Sequence, residues 1–324
     1  MLFSVVIPLY NKAAYIEQTI NSVLAQSETD FEIIVVDDGS RDEGPAAVAA
    51  MRDPRIRLVR QANAGVAVAR NHGISIARGQ WIAFLDADDV WRPQYLAVQR
   101  ASIASCPEVR AVATGFYAAS DLAEWTAAAH VESATTRYEI IRDLPGRWMQ
   151  SSPFFTSSIA VRADVLKAMP HCFAPGESVG EDLDLWFRIA EKYPIALVAE
   201  PLVAYRLDTA GSLSASHARN TMAPYLVRMR DRARSGLMSP DSARSALRYF
   251  AQSEITLSRQ ALIEGDRPGA RAWLASACPQ GLRIRRWWVT LVFVITPAAL
   301  VRRWESWRLA RTALSVPGKS RANR

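Results

Sequence analysis

Short apolar runs alternate with helical patterns along the first hundred residues of the chain. Apolar runs at residues 3–8, 31–36 and 81–85 predict buried strands, and the alternating pattern at 55–59 predicts a half-buried strand. Apolar residues at helical spacing predict a helix after Asn11, which would be its N-cap, and another over residues 65–77, with Gly79 just past its end. Strands that alternate with helices predict an α/β fold, because parallel strands need a crossover connection.

The same alternation continues at wider spacing after residue 90. The predicted elements are a helix at 93–104, a strand at 109–116, an irregular stretch at 118–150, a strand at 155–161, a helix at 163–169, a helix at 181–193, and strands at 195–199 and 202–205. No strand pattern follows residue 216, and residues 218–275 predict two or three helices. We therefore expect a sheet domain followed by a helical extension.

The positive charge of the chain lies almost entirely in its last segment. The net charge is +7, and residues 281–324 hold ten Lys/Arg against one acid. That segment therefore carries +9, and the rest of the chain carries −2. A near-neutral body argues against nucleic acid as a partner, because nucleic-acid binding needs a basic surface.

The cysteines and the N-terminus predict an intracellular protein. Cys106, Cys172 and Cys278 lie far apart without a C-x-x-C pair, which is typical of buried, reduced thiols in a cytosolic protein. Residues 1–10 lack a basic region and a small-residue cleavage site, so they predict a buried strand rather than an export signal.

Carboxylates are crowded at the ends of two predicted strands. Asp37 and Asp38 follow one strand, and Asp86, Asp88 and Asp89 follow another. In open α/β sheets, ligands bind beyond the carboxyl ends of the strands. A turn or a helix cap would explain a single aspartate, but three close carboxylates repel one another unless a cation lies between them. Oxygen ligands that leave positions open suit Mg²⁺ or Mn²⁺ bound together with a diphosphate.

The two aspartates before Gly39 have separate explanations. The turn accounts for one of them, which we assign to Asp37. Asp38 is either part of the same turn or an acceptor for a nucleobase N–H or a ribose hydroxyl. Other nucleotide-dependent classes lack their motifs in this chain: there is no G-x-G-x-x-G, and residues 9–15 contain no glycine. Residue 90 is Val, where a D-x-D-x-T phosphatase has Thr.

Five motifs occur in order and together resemble family 2 glycosyltransferases, which are inverting enzymes with the GT-A nucleotide-sugar-binding fold. The motifs are VVIPLYN at 5–11, VVDDGS at 35–40, ARNHGI at 69–74, FLDADD at 84–89 and GEDLDLW at 180–186. The resemblance implies a mostly parallel central sheet flanked by helices over residues 1–215, with a nucleotide-binding half at 1–116 and an acceptor half at 117–215. A helical extension at 216–280 and a basic aromatic tail at 281–324 would follow.

The resemblance also assigns roles to matching positions. The implied nucleotide-binding residues are Pro8, Tyr10, Asp38, Arg70 and Asp86. Among them, Asp38 would contact the base, usually uracil in this family, and Arg70 would lie near the phosphates unless it is an ordinary exposed arginine. Asp86 would approach the ribose and the metal.

Two further positions would carry the chemistry. The resemblance makes Asp88 the ligand of Mn²⁺ or Mg²⁺ and Asp182 the catalytic base, with Glu181 or Asp184 as substitutes. The start of a helix favours an ionised carboxylate, although acids are common there without any function. The expected reaction is metal-dependent, inverting transfer of a sugar from a nucleoside-diphosphate sugar, with UDP as the expected nucleotide. The alternative is a nucleotide-sugar-binding relative without transfer activity.

Three aromatic or imidazole side chains near these motifs have open roles. His217 is a possible additional site residue near the diphosphate, whereas His72 is interpreted as incidental. Trp186 would either pack in the core or form the floor of an acceptor site.

The basic tail predicts contact with a membrane surface. Residues 289–301 are apolar but too few to span a bilayer, and tryptophans and arginines flank them within residues 283–311. Such a segment suits an anionic interface. The alternatives are a helix packed on the body and a re-entrant insertion. We therefore expect a cytoplasmic protein at the inner face of the plasma membrane, acting on a glycan or lipid-linked acceptor.

Overall fold

The computed structural model describes residues 1–120, 122, 138–177, 180–207, 209, 221–297, 299–300, 303–304 and 307. The chain divides into two units. The first comprises residues Met1–His217 and Ser235–Ser242, and the second comprises residues Ala218–Arg234 and Ala243–Arg324.

A nine-stranded sheet forms the centre of the first unit over the described residues. Its strands are β1 (Phe3–Leu9), β2 (Phe31–Asp37), β3 (Ile56–Arg60), β4 (Trp81–Phe84), β5 (Val90–Trp91), β6 (Ala111–Ala119), β7 (Tyr138–Ile141), β8 (Ile159–Arg162) and β9 (Ile195–Arg206). Their order is β3-β2-β1-β4-β8-β6-β9-β5, with β7 also paired to β9.

Helices connect and cover these strands. In the first unit they are α1 (Ala13–Leu24), α2 (Gly44–Ala50), α3 (Val66–Ile76), α4 (Tyr95–Ser105), α5 (Leu144–Trp148), α6 (Ala163–Lys167) and α7 (Glu181–Ala190). The described residues of the second unit form helices, which are α8 (Pro224–Arg234), α9 (Pro240–Glu264), α10 (Arg267–Ser276) and α11 (Arg285–Ile295). Helix α9 begins within residues Ser235–Ser242, which belong to the first unit.

The first four strands are parallel, as their alternation with helices predicts. All seven residues of β1 are buried, because helices cover both faces of the sheet. The second half departs from a parallel arrangement: β8 runs antiparallel to both β4 and β6. Its first residue, Ile159, therefore lies toward the same edge of the sheet as the last residue of β4, Phe84.

Several local predictions are wrong in informative ways. Asn11 is not the N-cap of α1, which begins at Ala13; its side-chain oxygen instead accepts a hydrogen bond from the Arg41 amide at 2.8 Å. Gly79 does not stop α3 through a left-handed conformation. A Cβ at Gly79 would lie 2.5 Å from the Ser4 nitrogen, so this position needs glycine because it touches β1.

Other differences concern where strands begin and end. The two strands predicted near residues 195–205 form one strand, β9, which shifts register where it passes Gly115 of β6. The strand predicted from residue 155 begins only at Ile159, after a 3₁₀ turn over Thr156–Ser158. The stretch interpreted as irregular contains β7 and α5, and residues 121 and 123–137 lie outside the description.

An aromatic cluster packs under the carboxyl end of β4. The ring of Phe84 lies 5.4 Å from that of Phe173 and 5.8 Å from that of Trp186. Trp186 is fully buried, which confirms its interpretation as a core residue and excludes it as the floor of an acceptor site. The cluster gives the polar loop above it a rigid apolar support.

The cysteines agree with the prediction only in part. Cys106 and Cys172 are buried thiols, and burial raises the pKa of Cys172 to about 11. Cys278 is exposed, so its predicted burial is wrong. All three are free thiols, as expected.

Helix α11 has one face packed inside the second unit and another in solvent. Trp287 and Val294 join the core that α9 and α10 form. Trp288, Leu291 and Val292 are 52%, 41% and 56% exposed. Over the parts of the chain that the structure describes, no helix combines the length and the apolar character that crossing a bilayer requires.

Candidate functional site

The polar motifs meet where three neighbouring parallel strands end. β1 lies between β2 and β4, so the residues that follow these strands face the same edge of the sheet. The backbone amide of Asp38 donates to the carbonyl of Leu9 at 2.8 Å, and that of Leu85 donates to Val6 at 3.1 Å. The loops after β1, β2 and β4 are thereby fixed to one another.

Two carboxylates of the acidic loop after β4 each have a basic partner. Arg70 Nη2 lies 2.7 Å from Asp86 Oδ1, and Lys12 Nζ lies 2.7 Å from Asp88 Oδ2. The side chains of Asp86 and Asp88 are 30% and 17% exposed. These pairs relieve the repulsion that crowding creates, and they leave both carboxylates within reach of solvent.

The third carboxylate of the loop, Asp89, is buried and has a structural function. It accepts hydrogen bonds from the Ser157 hydroxyl at 2.6 Å and from the Arg206 amide at 3.0 Å. Burial, together with the charges of Asp86 and Asp88, raises the pKa of Asp89 well above its usual value. Asp89 therefore anchors the acidic loop and does not face a ligand.

Arg70 joins the acidic loop to the start of α7. Its side chain is 5% exposed, and Nη1 lies 2.8 Å from Glu181 Oε1 while Nη2 binds Asp86. The guanidinium also lies 5.2 Å from the centre of the Phe173 ring. Burial lowers the pKa of Arg70, but Asp86 and Glu181 outweigh that effect and the net change is upward. This environment excludes an ordinary exposed arginine.

The first turn of α7 carries three acids, and they differ in accessibility. Glu181 is buried against Arg70, and burial raises the pKa of Glu181. Asp184 is buried and pairs with Arg188 at 3.0 Å. Asp182 is half-buried, so it is the acid of this turn that both reaches solvent and lies beside the Arg70 pair.

Two hydrogen bonds orient the Asp182 carboxylate. The Thr156 hydroxyl donates to Oδ2 at 2.8 Å, and the Leu183 amide donates to Oδ1 at 2.7 Å. Both donors leave acceptor positions free on each oxygen. The carboxylate is therefore held in one orientation while keeping lone pairs for a further proton donor.

The turn Thr156–Ser158 is a part of the site that sequence reasoning missed. Thr156 contacts Asp182, and the Ser157 hydroxyl also accepts from the Asp86 amide at 3.0 Å. The Trp91 indole donates to the Ser157 carbonyl at 2.7 Å. The turn thus connects the acidic loop with the start of α7. Its signal in the sequence is weak, since Ser and Thr are common in turns.

Asp38 is buried beside the loop that leads into α3. Its Oδ1 accepts from Gln61 Nε2 at 2.8 Å and from the Ala64 amide at 2.9 Å, and its Oδ2 accepts from the Gly65 amide at 2.8 Å. Asp37 is the aspartate of the turn, because its Oδ1 accepts from the Ser40 amide at 2.9 Å. The expected assignment of Asp37 to the turn is thus observed.

The remaining sequence candidates flank this region. Pro8 is buried within β1, next to Val36, and Tyr10 is 46% exposed just after β1 ends. His217 lies outside the described residues. His72, interpreted as incidental, contacts Gln61 and is therefore connected to the site.

The residues fit a divalent ion that is shared with a diphosphate. Within the described ranges, no group of three or more His, Cys, Asp or Glu side chains could hold a metal alone. Mg²⁺ and related ions need only one or two protein carboxylates when phosphates complete the coordination. Asp88 offers such a carboxylate, and the Lys12 ammonium beside its Oδ2 shows that this oxygen already has a cation as its neighbour.

A cavity lies at the other end of the sheet, away from these residues. It has a volume of about 480 Å³ and is lined by Trp81 at the start of β4 and Arg162 at the end of β8. Its charged groups are engaged with nearby atoms, since Arg162 pairs with Asp164 and Arg110 binds two carbonyls. The candidate site is defined by converging polar groups, and this cavity is separate from it.

Comparison with known proteins identifies relatives of the chain. The model of the family "Glycosyl transferase family 2" matches residues 4–167. The succinoglycan biosynthesis protein ExoO of Rhizobium meliloti is 49% identical over 102 residues, 31% of this chain and 29% of that protein. An uncharacterized glycosyltransferase of Nostoc, alr2836, is 46% identical over 99 residues, 30% of this chain and 31% of that protein. Each match thus spans about a third of the relative.

Solved structures match over nearly the whole chain. S. aureus TarS residues 1–349, in complex with UDP-GlcNAc, has a TM-score of 0.69 at 19% identity, covering 96% of this chain and 92% of that one. The mannosyltransferase PcManGT of Pyrobaculum calidifontis, in complex with GDP-Man and Mn²⁺, has a TM-score of 0.53 at 20% identity, covering 94% and 87%. These matches confirm the predicted GT-A fold with helices after the sheet domain.

Proposed function

Because the chain belongs to glycosyl transferase family 2, we propose that it transfers a sugar from a nucleoside-diphosphate sugar to a hydroxyl group of a glycan or lipid-linked acceptor, as in bacterial polysaccharide synthesis. The observation that carries the proposal is the pair of contacts made by Arg70. They hold the acidic loop, through Asp86, beside Glu181, the neighbour of Asp182. Groups suited to a diphosphate and to a hydroxyl nucleophile thus lie side by side.

The donor in this proposal is a UDP-sugar. Pro8, Tyr10 and Asp38 would surround the nucleoside, and a carboxylate suits a base that presents an N–H. The UDP-GlcNAc complex of TarS, which shares the fold, supports uridine. The GDP-Man complex of PcManGT is a reason to test guanosine as well, because guanine also presents N–H donors.

Departure of the diphosphate requires relief of its growing negative charge. Mn²⁺ or Mg²⁺ held by Asp88 and the phosphates would supply Lewis-acid stabilisation. Lys12, which pairs with Asp88, would compete with such an ion for this carboxylate and could pair with a phosphate oxygen instead. Arg70 holds the Asp86 carboxylate, which would approach the ribose and the metal, and the guanidinium would add positive charge near the phosphates.

Asp182 is the general base in this mechanism. It would accept the proton of the acceptor hydroxyl as that oxygen attacks the anomeric carbon from the side opposite the diphosphate, and the configuration is inverted. It lies in the first turn of α7, and Thr156 fixes its orientation. Glu181 and Asp184 are already paired with arginines, so they are less suited to this role.

Hydrolysis of nucleotide sugars tests the proposal. We expect the full chain with Mn²⁺ to release UDP slowly from a UDP-sugar among UDP-GlcNAc, UDP-Glc and UDP-Gal. Asp182→Asn should remove turnover, while its UDP affinity should stay within about threefold of wild type, since the catalytic base would not contact the nucleotide. Asp164→Asn, an exposed change at the other end of the sheet, is the matched control.

The alternative is a nucleotide-sugar-binding protein without transfer activity. UDP binding without turnover on any donor, with or without a lipid-linked acceptor, would favour that alternative. Loss of both turnover and UDP affinity in Asp182→Asn would instead remove Asp182 from the role of base.

The second part of the proposal is contact with an anionic membrane surface through residues 283–311, at the inner face of the plasma membrane. The exposed apolar side chains of α11 lie beside arginines, a combination that favours an interface. Flotation with vesicles tests it: Trp288→Gln with Leu291→Gln should abolish binding to anionic vesicles. Leu237→Gln, which is 74% exposed in the first unit, should not affect it. Equal flotation of all variants would refute the contact.

A further inference from the structure

A chain of three side chains leads from α3 to the carboxylate that follows β2. His72 Nδ1 lies 2.8 Å from Gln61 Oε1, and Gln61 Nε2 lies 2.8 Å from Asp38 Oδ1. The Gln61 backbone is fixed as well, because its amide donates to the Asp37 carbonyl at 2.9 Å. Side-chain hydrogen bonds therefore connect His72 and Gln61 to Asp38, and the Gln61 backbone is anchored to the sheet.

The direction of each hydrogen bond in this chain follows from chemistry. Asp38 accepts on both oxygens from backbone amides, so Gln61 must turn its NH₂ group toward Oδ1. The Gln61 carbonyl oxygen then faces His72, and it can only accept. His72 must therefore carry a proton on Nδ1.

The same contacts nearly fill the acceptor capacity of Asp38. A carboxylate has about four acceptor positions. Gln61 and Ala64 use two on Oδ1, and Gly65 uses one on Oδ2. One position on Oδ2 is left, and rotation of the carboxylate would break all three existing bonds.

We propose that His72 and Gln61 are positioning residues that hold Asp38 so that its remaining acceptor position selects a nucleobase presenting an N–H group. Uracil presents such a group at its ring N3, whereas cytosine presents a lone pair there, which a carboxylate repels. The two side chains thereby set the preference for uridine over cytidine nucleotides. This inference rests on the proposed function, because it concerns the same nucleotide site.

A purely structural role would predict something different. Asp38 also ties the residues before α3 to the end of β2, and the Asn63 side chain donates to the Asp38 carbonyl at 3.0 Å. If His72 and Gln61 only stabilised this loop, their loss would weaken binding of all nucleotides equally. Discrimination between bases separates the two roles.

The test measures Kd for UDP and CDP by calorimetry with Mn²⁺, using the full chain. We expect wild type to prefer UDP. His72→Leu and Gln61→Met should each weaken UDP binding by about tenfold, as loss of support for a charged acceptor suggests, and should weaken CDP binding less. The ratio of CDP to UDP dissociation constants should fall accordingly. The kcat for UDP-sugar hydrolysis should stay unchanged, since the nucleobase is remote from the reacting atoms.

Two variants serve as matched controls. In His72→Asn the amide nitrogen occupies the place of Nδ1 and keeps the donor, so UDP affinity should return to within about twofold of wild type. Ser75→Ala removes an exposed hydroxyl on the same helix, which donates to the His72 carbonyl at 2.7 Å, and should have no effect. Thermal unfolding checks that each variant folds. If His72→Leu does not fold, Gln61→Met is used for the test.

The outcomes separate this inference from the proposal on which it rests. An unchanged UDP preference in His72→Leu and Gln61→Met overturns the positioning role, as does an equal loss of UDP and CDP binding. Failure of His72→Asn to recover affinity also overturns it. Wild type that binds neither nucleotide contradicts the proposed function itself.

Discussion

Replacing Arg70 by methionine tests how the site is held together. Methionine keeps most of the apolar stem of arginine but removes the charge. Glu181, whose side chain is 7% exposed, would then be a buried carboxylate without a cation, whereas Asp86 at 30% exposure would be hydrated. Arg70→Met should therefore destabilise the folded protein chiefly because it leaves Glu181 unpaired.

The expected loss follows from the geometry of the two ion pairs. The N–O distances are 2.7 and 2.8 Å, so the charge centres lie close enough for about 4 kcal/mol of attraction per pair at an effective dielectric constant of about 20. Desolvation of the buried partners offsets part of this attraction. Removing one partner of a buried pair usually costs about 3–5 kcal/mol, and we expect Arg70→Met to fall in that range.

The pH dependence has a definite sign. Burial already raises the pKa of Glu181, and loss of Arg70 removes an opposing effect, so the pKa of Glu181 should rise further. A carboxyl group with a raised pKa in the folded state contributes stability at low pH and loses it as the pH rises through that pKa. Arg70→Met should therefore be less destabilised at pH 5 than at pH 7.5.

Urea unfolding followed by tryptophan fluorescence measures the effect, because Trp186 packs in the cluster beneath Arg70. With a slope of about 2 kcal/mol per M, the midpoint should fall by about 1.5–2.5 M at pH 7.5. Adding Glu181→Gln removes the unpaired charge and should recover at least half of the loss. A loss below about 1 kcal/mol, or no recovery in the double variant, would refute the reasoning.

Three further changes test separate contacts. Thr156→Val removes the hydroxyl that orients Asp182, and kcat for donor hydrolysis should fall about tenfold with UDP affinity unchanged; equal changes in both would contradict this role. Gly79→Ala places a Cβ against β1, and the melting temperature should drop by several degrees, as about 1–3 kcal/mol of overpacking implies; an unchanged value in a thermal scan would count against the close approach. Lys12→Met removes the cation that pairs with Asp88, so Mn²⁺ should bind more tightly in the presence of UDP, measured by titration of the Mn²⁺ electron paramagnetic resonance signal; weaker binding would contradict competition between Lys12 and the metal for Asp88.

The first half of the sheet could be predicted from the sequence because its signals are local. Strands β1, β2 and β4 are continuous buried runs, β3 alternates between apolar and polar residues, and helices lie between the strands. Parallel pairing follows from that alternation of strands and helices. The reversal at β8 could not be predicted. The apolar pattern of β8 predicts a strand but not its direction. Pairing with β4 and β6 in the folded protein determines that direction.

The site shows the same contrast between residues with a local signal in the sequence and residues that only the fold brings together. The acids were visible because crowded carboxylates are costly, and the motifs pointed to Asp38, Asp86 and Asp88. Their partners were not visible. The Ser157 hydroxyl meets Asp89 across a separation of 68 residues, and Arg70 meets Glu181 across 111. No local pattern encodes such distant pairs, because burial and register create them.

The antiparallel direction of β8 limits how far the two halves of the sheet domain can be exchanged between relatives. The turn that precedes β8 supplies the hydroxyls of Thr156 and Ser157, so residues before and after position 116 contribute side chains to the same site. A chimera that joins residues 1–116 of this chain to the second half of a relative would inherit foreign partners for Asp86 and Asp89. A chimera that keeps residues 1–116 therefore needs residues 157 and 181 of this chain as well, so that Asp86, Asp89 and Arg70 keep their partners.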